Sequence, residues 1–145
     1  MNRHATAIWQ GALKDGSGTL DMQSGAFSKQ PYSFKGRFED ESGKSGTNPE
    51  ELIAAAHAGC FSMQLSHLLA ESGTPAEKLE TTATVTYGPA AGGGFEITES
   101  ALKLNAKVPG VDEAKFRELA EKAKTGCPVS KALGAIKVTL DAKLA

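Results

Sequence analysis

Apolar residues change their spacing several times along the chain, and each change predicts an element. Over residues 5–10, around Ile8 and Trp9, over 18–23 with Leu20 and Met22, and over 32–38 with Tyr32, Phe34 and Phe38, the pattern predicts three strands parted by Gly and polar turn residues. A polar loop, 39–47, holds two Gly and two Ser. Asn48-Pro49-Glu50-Glu51 then starts a helix: Asn is a favoured cap, Pro suits the first helical position, and Glu51 stands where a capping box is completed. Gly73 supplies the stop. From 52 to 69 this helix is apolar or small on almost every side, which predicts burial nearly all round. One sheet covers one flank, so the expected cover for the other is a second copy of the same helix, in a homodimer.

Strands are predicted next at 81–87, rich in Thr and Val, and at 95–108 with Ile97, Leu102 and Leu104; Pro89 and Gly92-Gly93-Gly94 fall between them. Pro109-Gly110 ends the sheet. Asp112 caps an amphipathic helix through Phe116, Leu119, Ala120 and Ala123 that closes at Gly126, and Cys127-Pro128 opens a short helix to about 134. Ile136, Val138 and Leu140 alternate in a last strand. The order βββ-α-ββ-αα-β is α+β, and with no repeat or low-complexity linker residues 1–145 read as a single domain.

Composition narrows the classes. With 145 residues, 40% hydrophobic and 23% charged, the chain has globular proportions. Sixteen Lys and Arg against 17 Asp and Glu leave a net charge of -1, no field for a phosphate backbone, so nucleic acid is not an expected partner. No apolar run is expected to reach the roughly 18 to 20 residues that span a bilayer, and residues 1–6 lack the apolar core of a signal peptide. The expected location is the cytoplasm, without a membrane partner.

Cys60 and Cys127 are too few and too far apart for a structural zinc site or a secreted disulfide scaffold. A cysteine reacts as a thiolate, which needs a cation or a helix N-terminus to form near neutrality. Cys60 sits about three turns inside the long helix among mostly uncharged neighbours, so burial there raises its pKa unless a cation arrives from elsewhere in the fold. Of Arg3, Arg37 and Arg117, Arg37 lies beside Phe34 and Phe38 at the end of a predicted strand, where a polar head can meet an apolar pocket; a solvated strand-end Arg is the alternative. Cys127, at a helix start, is by local physics the more acidic thiol; a small apolar cap is the alternative. The two can bond only if the fold holds their Cα atoms within about 7 Å. His57 shares a helix face with Cys60, which admits a Cys-His pair, but no orienting third group is visible. His67 is about 10 Å further along the axis than Cys60, too far to share a metal ion with it. For both histidines the plain reading is a hydrogen-bonded residue in a packed helix.

The stretch Thr47-Asn48-Pro49-Glu50-Glu51-Leu52-Ile53-Ala54-Ala55-Ala56-His57-Ala58-Gly59-Cys60-Phe61-Ser62-Met63 and the later Gly126-Cys127-Pro128-Val129-Ser130 resemble the two signature segments of the OsmC/Ohr family of hydroperoxide reductases. Gln30-Pro31-Tyr32 and Arg37-Phe38-Glu39 look more like the OsmC branch. The resemblance runs essentially the whole chain. It implies an intertwined α+β homodimer with long central helices and sites at the subunit interface. Cys60 would be the peroxidatic thiol, Cys127 the resolving thiol, Arg37 the activating cation and Glu50 its acidic partner. Organic hydroperoxides would be the substrates, hydrogen peroxide a poorer one, and dithiols such as lipoyl groups the reductants; no cofactor is implied. Met63, Phe34 and Phe61 are candidate apolar walls. In one straight helix Glu50 and Cys60 are about 15 Å apart, so Glu50 would act through an Arg, a helix break or the other chain. Two other readings compete: a dimeric binding module with structural thiols, and a Cys-His hydrolase or transferase.

Overall fold

The computed structural model describes residues 1–145. Its elements are β1 (Ala5–Gln10), β2 (Ser17–Met22), β3 (Gln30–Ser33), α1 (Phe34–Phe38), α2 (Pro49–Glu71), β4 (Lys78–Pro89), β5 (Phe95–Lys107), α3 (Glu113–Gly126), α4 (Pro128–Ala132) and β6 (Lys137–Leu144). The class is α+β as expected, with one helix more than the sequence pattern predicts. Contacts gather the chain into two units, Met1–Leu52 and Ile53–Ala145.

In the first unit β1, β2 and β3 form an antiparallel sheet in that order. The third strand is shorter than predicted, because Ser33 ends it: its hydroxyl accepts from the Gly36 N–H at 3.0 Å and starts α1. Phe34 and Phe38 are four apart, which fits a helix face, and their rings pack 4.6 Å apart. Arg37 therefore sits in the last turn of a short helix and not at a strand end. In the loop that follows, Asp40 accepts from Ser42, Lys44 and Ser45. These bonds, chiefly from Ser42 and Ser45, hold its carboxyl well below the usual range. Gly46, at φ 135°, passes so close to β3 that a Cβ there would lie 2.8 Å from the Pro31 carbonyl oxygen.

The second unit carries every buried hydrophobic residue of the chain. Its sheet runs β4-β5-β6, antiparallel then parallel, with α3 and α4 as the crossover. Leu102, Leu104 and Ala106 alternate on the inner face of β5, and Phe116, Leu119, Ala120 and Ala123 line one side of α3. From α2 come Phe61, Leu65, Leu68 and Leu69. Phe61 is wholly buried in this cluster, so it belongs to the core and not to a substrate wall. Phe61→Ala is expected to destabilise the fold by about 3–5 kcal/mol, read as a lower denaturant midpoint with an unchanged slope.

α2 departs from expectation in three ways. The Glu51 N–H donates to Asn48 Oδ1 at 2.8 Å, but the Glu51 carboxylate takes the Thr47 hydroxyl at 2.8 Å, so the capping box is only half made. Burial follows one stripe, while Ala55, Ala56, Gly59, Met63, Ser66, His67 and Ala70 are exposed on the other. His67 is thus a surface residue, near Glu71 at 3.5 Å, rather than part of a packed face. Finally, its 23 residues are long and apolar enough, by length and composition alone, to cross a membrane. The sequence reading expected no such run. Small residues raise the mean hydropathy, while Phe61, Leu65, Leu68 and Leu69 of this helix lie in the protein's own core.

Candidate active site

Two pairs of predicted residues come together, one in each unit. In the first, Arg37 Nε donates to Glu50 Oε2 at 3.1 Å and Nη2 to Oε1 at 2.6 Å, a two-pronged pair in which Glu50 is the more buried partner, 13% exposed against 31%. The guanidinium also lies 4.9 Å from the centre of the Phe38 ring. Glu50 holds this place because it is in the first turn of α2, where a carboxylate also suits the helix dipole. Beside the pair is a cavity of about 290 Å³ lined by Trp9, Leu13, Tyr32, Ser33, Phe34, Arg37, Phe38 and Pro49. Trp9 and Tyr32 pack 5.3 Å apart in its wall. Phe34 is thus an apolar wall beside the guanidinium; Met63, 76% exposed on the bare stripe of α2, lines no part of it.

In the second unit the Sγ atoms of Cys60 and Cys127 are 2.7 Å apart with no bond between them. A disulfide length of about 2.05 Å is a small movement away. Cys127 ends α3 and caps α4, ahead of Pro128 at the first helical position, and its sulfur accepts from the Ser130 N–H at 3.5 Å. Cys127 is wholly buried, whereas Cys60 is partly open. Burial, and then the contact with Cys127, push the Cys60 thiol up. Burial also works against a thiolate at Cys127, but hydrogen bonds from Cys60, Ser130 and Val129 together outweigh it and hold that thiol below its ordinary value. In the isolated chain, therefore, Cys127 carries charge more readily than Cys60, as local physics predicts.

His57 is buried completely, with Nδ1 2.7 Å from Ser100 Oγ and Nε2 2.8 Å from Ser130 Oγ. Both ring nitrogens are occupied by serines, so neither is free to take a proton from Cys60. That removes the support for a Cys-His hydrolase. Sequence reasoning found the histidine but missed both serines, 43 and 73 residues away from it. Only the place of Ser130, three residues after Cys127, was a local signal. No cluster of three or more His, Cys, Asp or Glu stands ready to hold a metal ion.

A family model described as OsmC-like protein matches residues 41–141. The chain belongs to the OsmC-like family. It is 47% identical over 144 residues, 99% of this chain and 97% of the relative, to the peroxiredoxin OsmC of Escherichia coli strain K12. To an organic hydroperoxide resistance protein of Xanthomonas axonopodis pv. citri it is 38% identical over 104 residues, 68% of each. Among solved structures, the organic hydroperoxide resistance protein OhrB of Bacillus subtilis superimposes with a TM-score of 0.75 at 29% identity, covering 97% of this chain and 98% of that one. An OsmC-like protein of Vibrio cholerae, at a TM-score of 0.78, 15% identity and 99% coverage of both, shares the OsmC-like fold.

Proposed function

We propose that this OsmC-like chain, working as one domain over residues 1–145, is a thiol-dependent peroxidase. It reduces organic hydroperoxides to alcohols, and hydrogen peroxide less well, in defence against oxidative or osmotic stress in the cytoplasm. The observation that carries this is the pairing of a partly open thiol, Cys60, with a buried one, Cys127, at 2.7 Å: a peroxide reaches the first, and the second is already in place to capture the product. The names of the relatives, a peroxiredoxin and an organic hydroperoxide resistance protein, agree with it.

The Cys60 thiolate attacks the terminal peroxide oxygen, an S–O bond forms as the O–O bond breaks, and the alkoxide leaves as alcohol after gaining a proton. Cys60 is oxidised to the sulfenic acid and the peroxide reduced. Cys127 then attacks the sulfenic sulfur, an S–S bond forms, and hydroxide departs as water. A dithiol, such as a lipoyl group, reduces the disulfide. Arg37, held by Glu50, supplies the positive charge that Cys60 needs to ionise and that the leaving oxygen needs as the O–O bond breaks. The aromatic cavity beside Arg37 suits an alkyl or aryl peroxide. In the test, the chain with dithiol in excess consumes cumene hydroperoxide with a kcat/KM at least about tenfold above that for hydrogen peroxide. Absence of dithiol-dependent consumption would overturn the reading.

The working unit is a homodimer. Two features support this: the first unit has no buried hydrophobic residue, and α2 exposes a stripe of small residues around Met63. The wild-type chain is expected to scatter light with the mass of two chains, and Met63→Asp to shift that mass toward one. A monomeric wild type would contradict the assembly.

A further inference from the structure

Three buried polar side chains from three elements meet behind the resolving thiol. Ser100 comes from β5, His57 from α2 and Ser130 from α4, and each is at most 8% exposed. Burying such groups costs free energy unless every hydrogen bond is made, and here none is left over. An apolar trio would fill the same space without that demand.

Two directions of the hydrogens satisfy the ring, and they differ in what they leave for Cys127. Burial lowers the pKa of His57, so the imidazole is neutral and carries one N–H and one lone pair. If the N–H were on Nδ1, the Ser130 hydroxyl would have to donate to Nε2 and its hydrogen would be used up there. With the N–H on Nε2, Ser100 donates to Nδ1, Nε2 donates to Ser130 Oγ, and the Ser130 hydrogen is free to turn to Cys127 Sγ. The Ser130 N–H already points to that sulfur at 3.5 Å.

We propose that Ser100, His57 and Ser130 form a positioning relay that aims a hydroxyl hydrogen at the Cys127 sulfur and holds it ready to attack oxidised Cys60. His57 is a positioning residue, acting through Ser130, and Ser100 fixes its tautomer. This rests on the reading of Cys127 as the resolving thiol.

The test uses the reduced full-length protein and dithiobis(nitrobenzoate). Open Cys60 attacks the reagent, forming a mixed disulfide and releasing a first thionitrobenzoate. Cys127 then attacks the Cys60 sulfur, forming the Cys60-Cys127 bond and releasing a second, with no further oxidant. Ser130→Ala and His57→Leu are expected to slow the second release relative to the first by about tenfold, the effect of losing one hydrogen bond to a charged sulfur. His57→Gln, whose amide nitrogen can take the place of Nε2, is expected to restore most of the second release. A general loosening of the fold would move both releases together and would not be rescued. An unchanged ratio in Ser130→Ala, or a glutamine no better than leucine, would overturn the relay. A parallel arm gives the wild type one equivalent of cumene hydroperoxide. If no cumyl alcohol forms while the exchange ratios follow expectation, the peroxidase reading falls and the relay stands. If alcohol forms while the ratios stay flat, the relay falls alone.

Discussion

Cys60→Ser is expected to abolish hydroperoxide consumption, a loss of more than about a thousandfold, because a serine hydroxyl stays protonated and is a poor nucleophile toward peroxide oxygen. Cys127→Ser is expected to behave differently. Its Cys60 still releases one equivalent of alcohol, since the first step uses only that thiol. The sulfenic acid then has no partner at 2.7 Å, and with excess peroxide it proceeds to the sulfinic acid, seen by mass spectrometry as two added oxygens on the peptide holding Cys60. Turnover stops after the first cycle. The opposite pattern, with Cys60→Ser surviving one turnover and Cys127→Ser inert, would reverse the assignment. That reversal is a real alternative on electrostatic grounds, because within the isolated chain Cys127 is the lower thiol of the two. Access decides the order proposed here: Cys127 is wholly buried and Cys60 is not.

Arg37→Ala has the second largest expected effect, a fall of about 10²–10³ in kcat/KM near neutrality, as for loss of a donor to a charged transition state. The sign with pH follows from the thiol. Burial already pushes Cys60 up; on the proposal that Arg37 serves this thiol, its positive charge works against that rise, and taking it away lets the thiol rise further. The acid limb of the pH-rate profile should therefore move to higher pH. Raising the pH should recover the part of the rate lost through ionisation, but not the part lost through stabilisation of the leaving oxygen. Arg37→Lys keeps the charge without the two-pronged geometry toward Glu50, and Glu50→Gln keeps the guanidinium with a weaker anchor; both should shift the profile in the same direction by less. An unmoved acid limb in Arg37→Ala would remove Arg37 as the activator.

Legibility in the sequence followed the range of the interactions. β1 was readable to the residue, and α3 was fixed by Asp112, its apolar stripe and Gly126, all within a few residues of one another. Residues 34–38 read as strand in the sequence because the spacing of Phe34 and Phe38 can serve a strand or a helix, and the hydrogen bond from the Gly36 N–H to the Ser33 hydroxyl selects the helix. The exposed stripe of α2 could not be read either. Ala55, Gly59 and Met63 look like interior residues, yet no other part of the chain packs over them. At the site, the two cysteines and Arg37 stand out from their chemistry and placement, while Glu50 and the division of roles between the thiols come only through the resemblance. The meeting of Cys60 with Cys127 spans 67 residues, and no local rule brings those together. The serines around His57 were invisible for the same reason, since a buried histidine shows its partners only after β5 and α4 have packed on α2.

The central claim is that a peroxide oxidises Cys60 and that Cys127 closes on the product within the same chain. The most direct measurement is to treat the reduced protein with one equivalent of cumene hydroperoxide, block remaining thiols and map the peptides by mass spectrometry. The account predicts one equivalent of cumyl alcohol and a single intrachain bond between Cys60 and Cys127. Recovery of both residues as blocked thiols, or oxygen added to Cys127 with Cys60 intact, would contradict it.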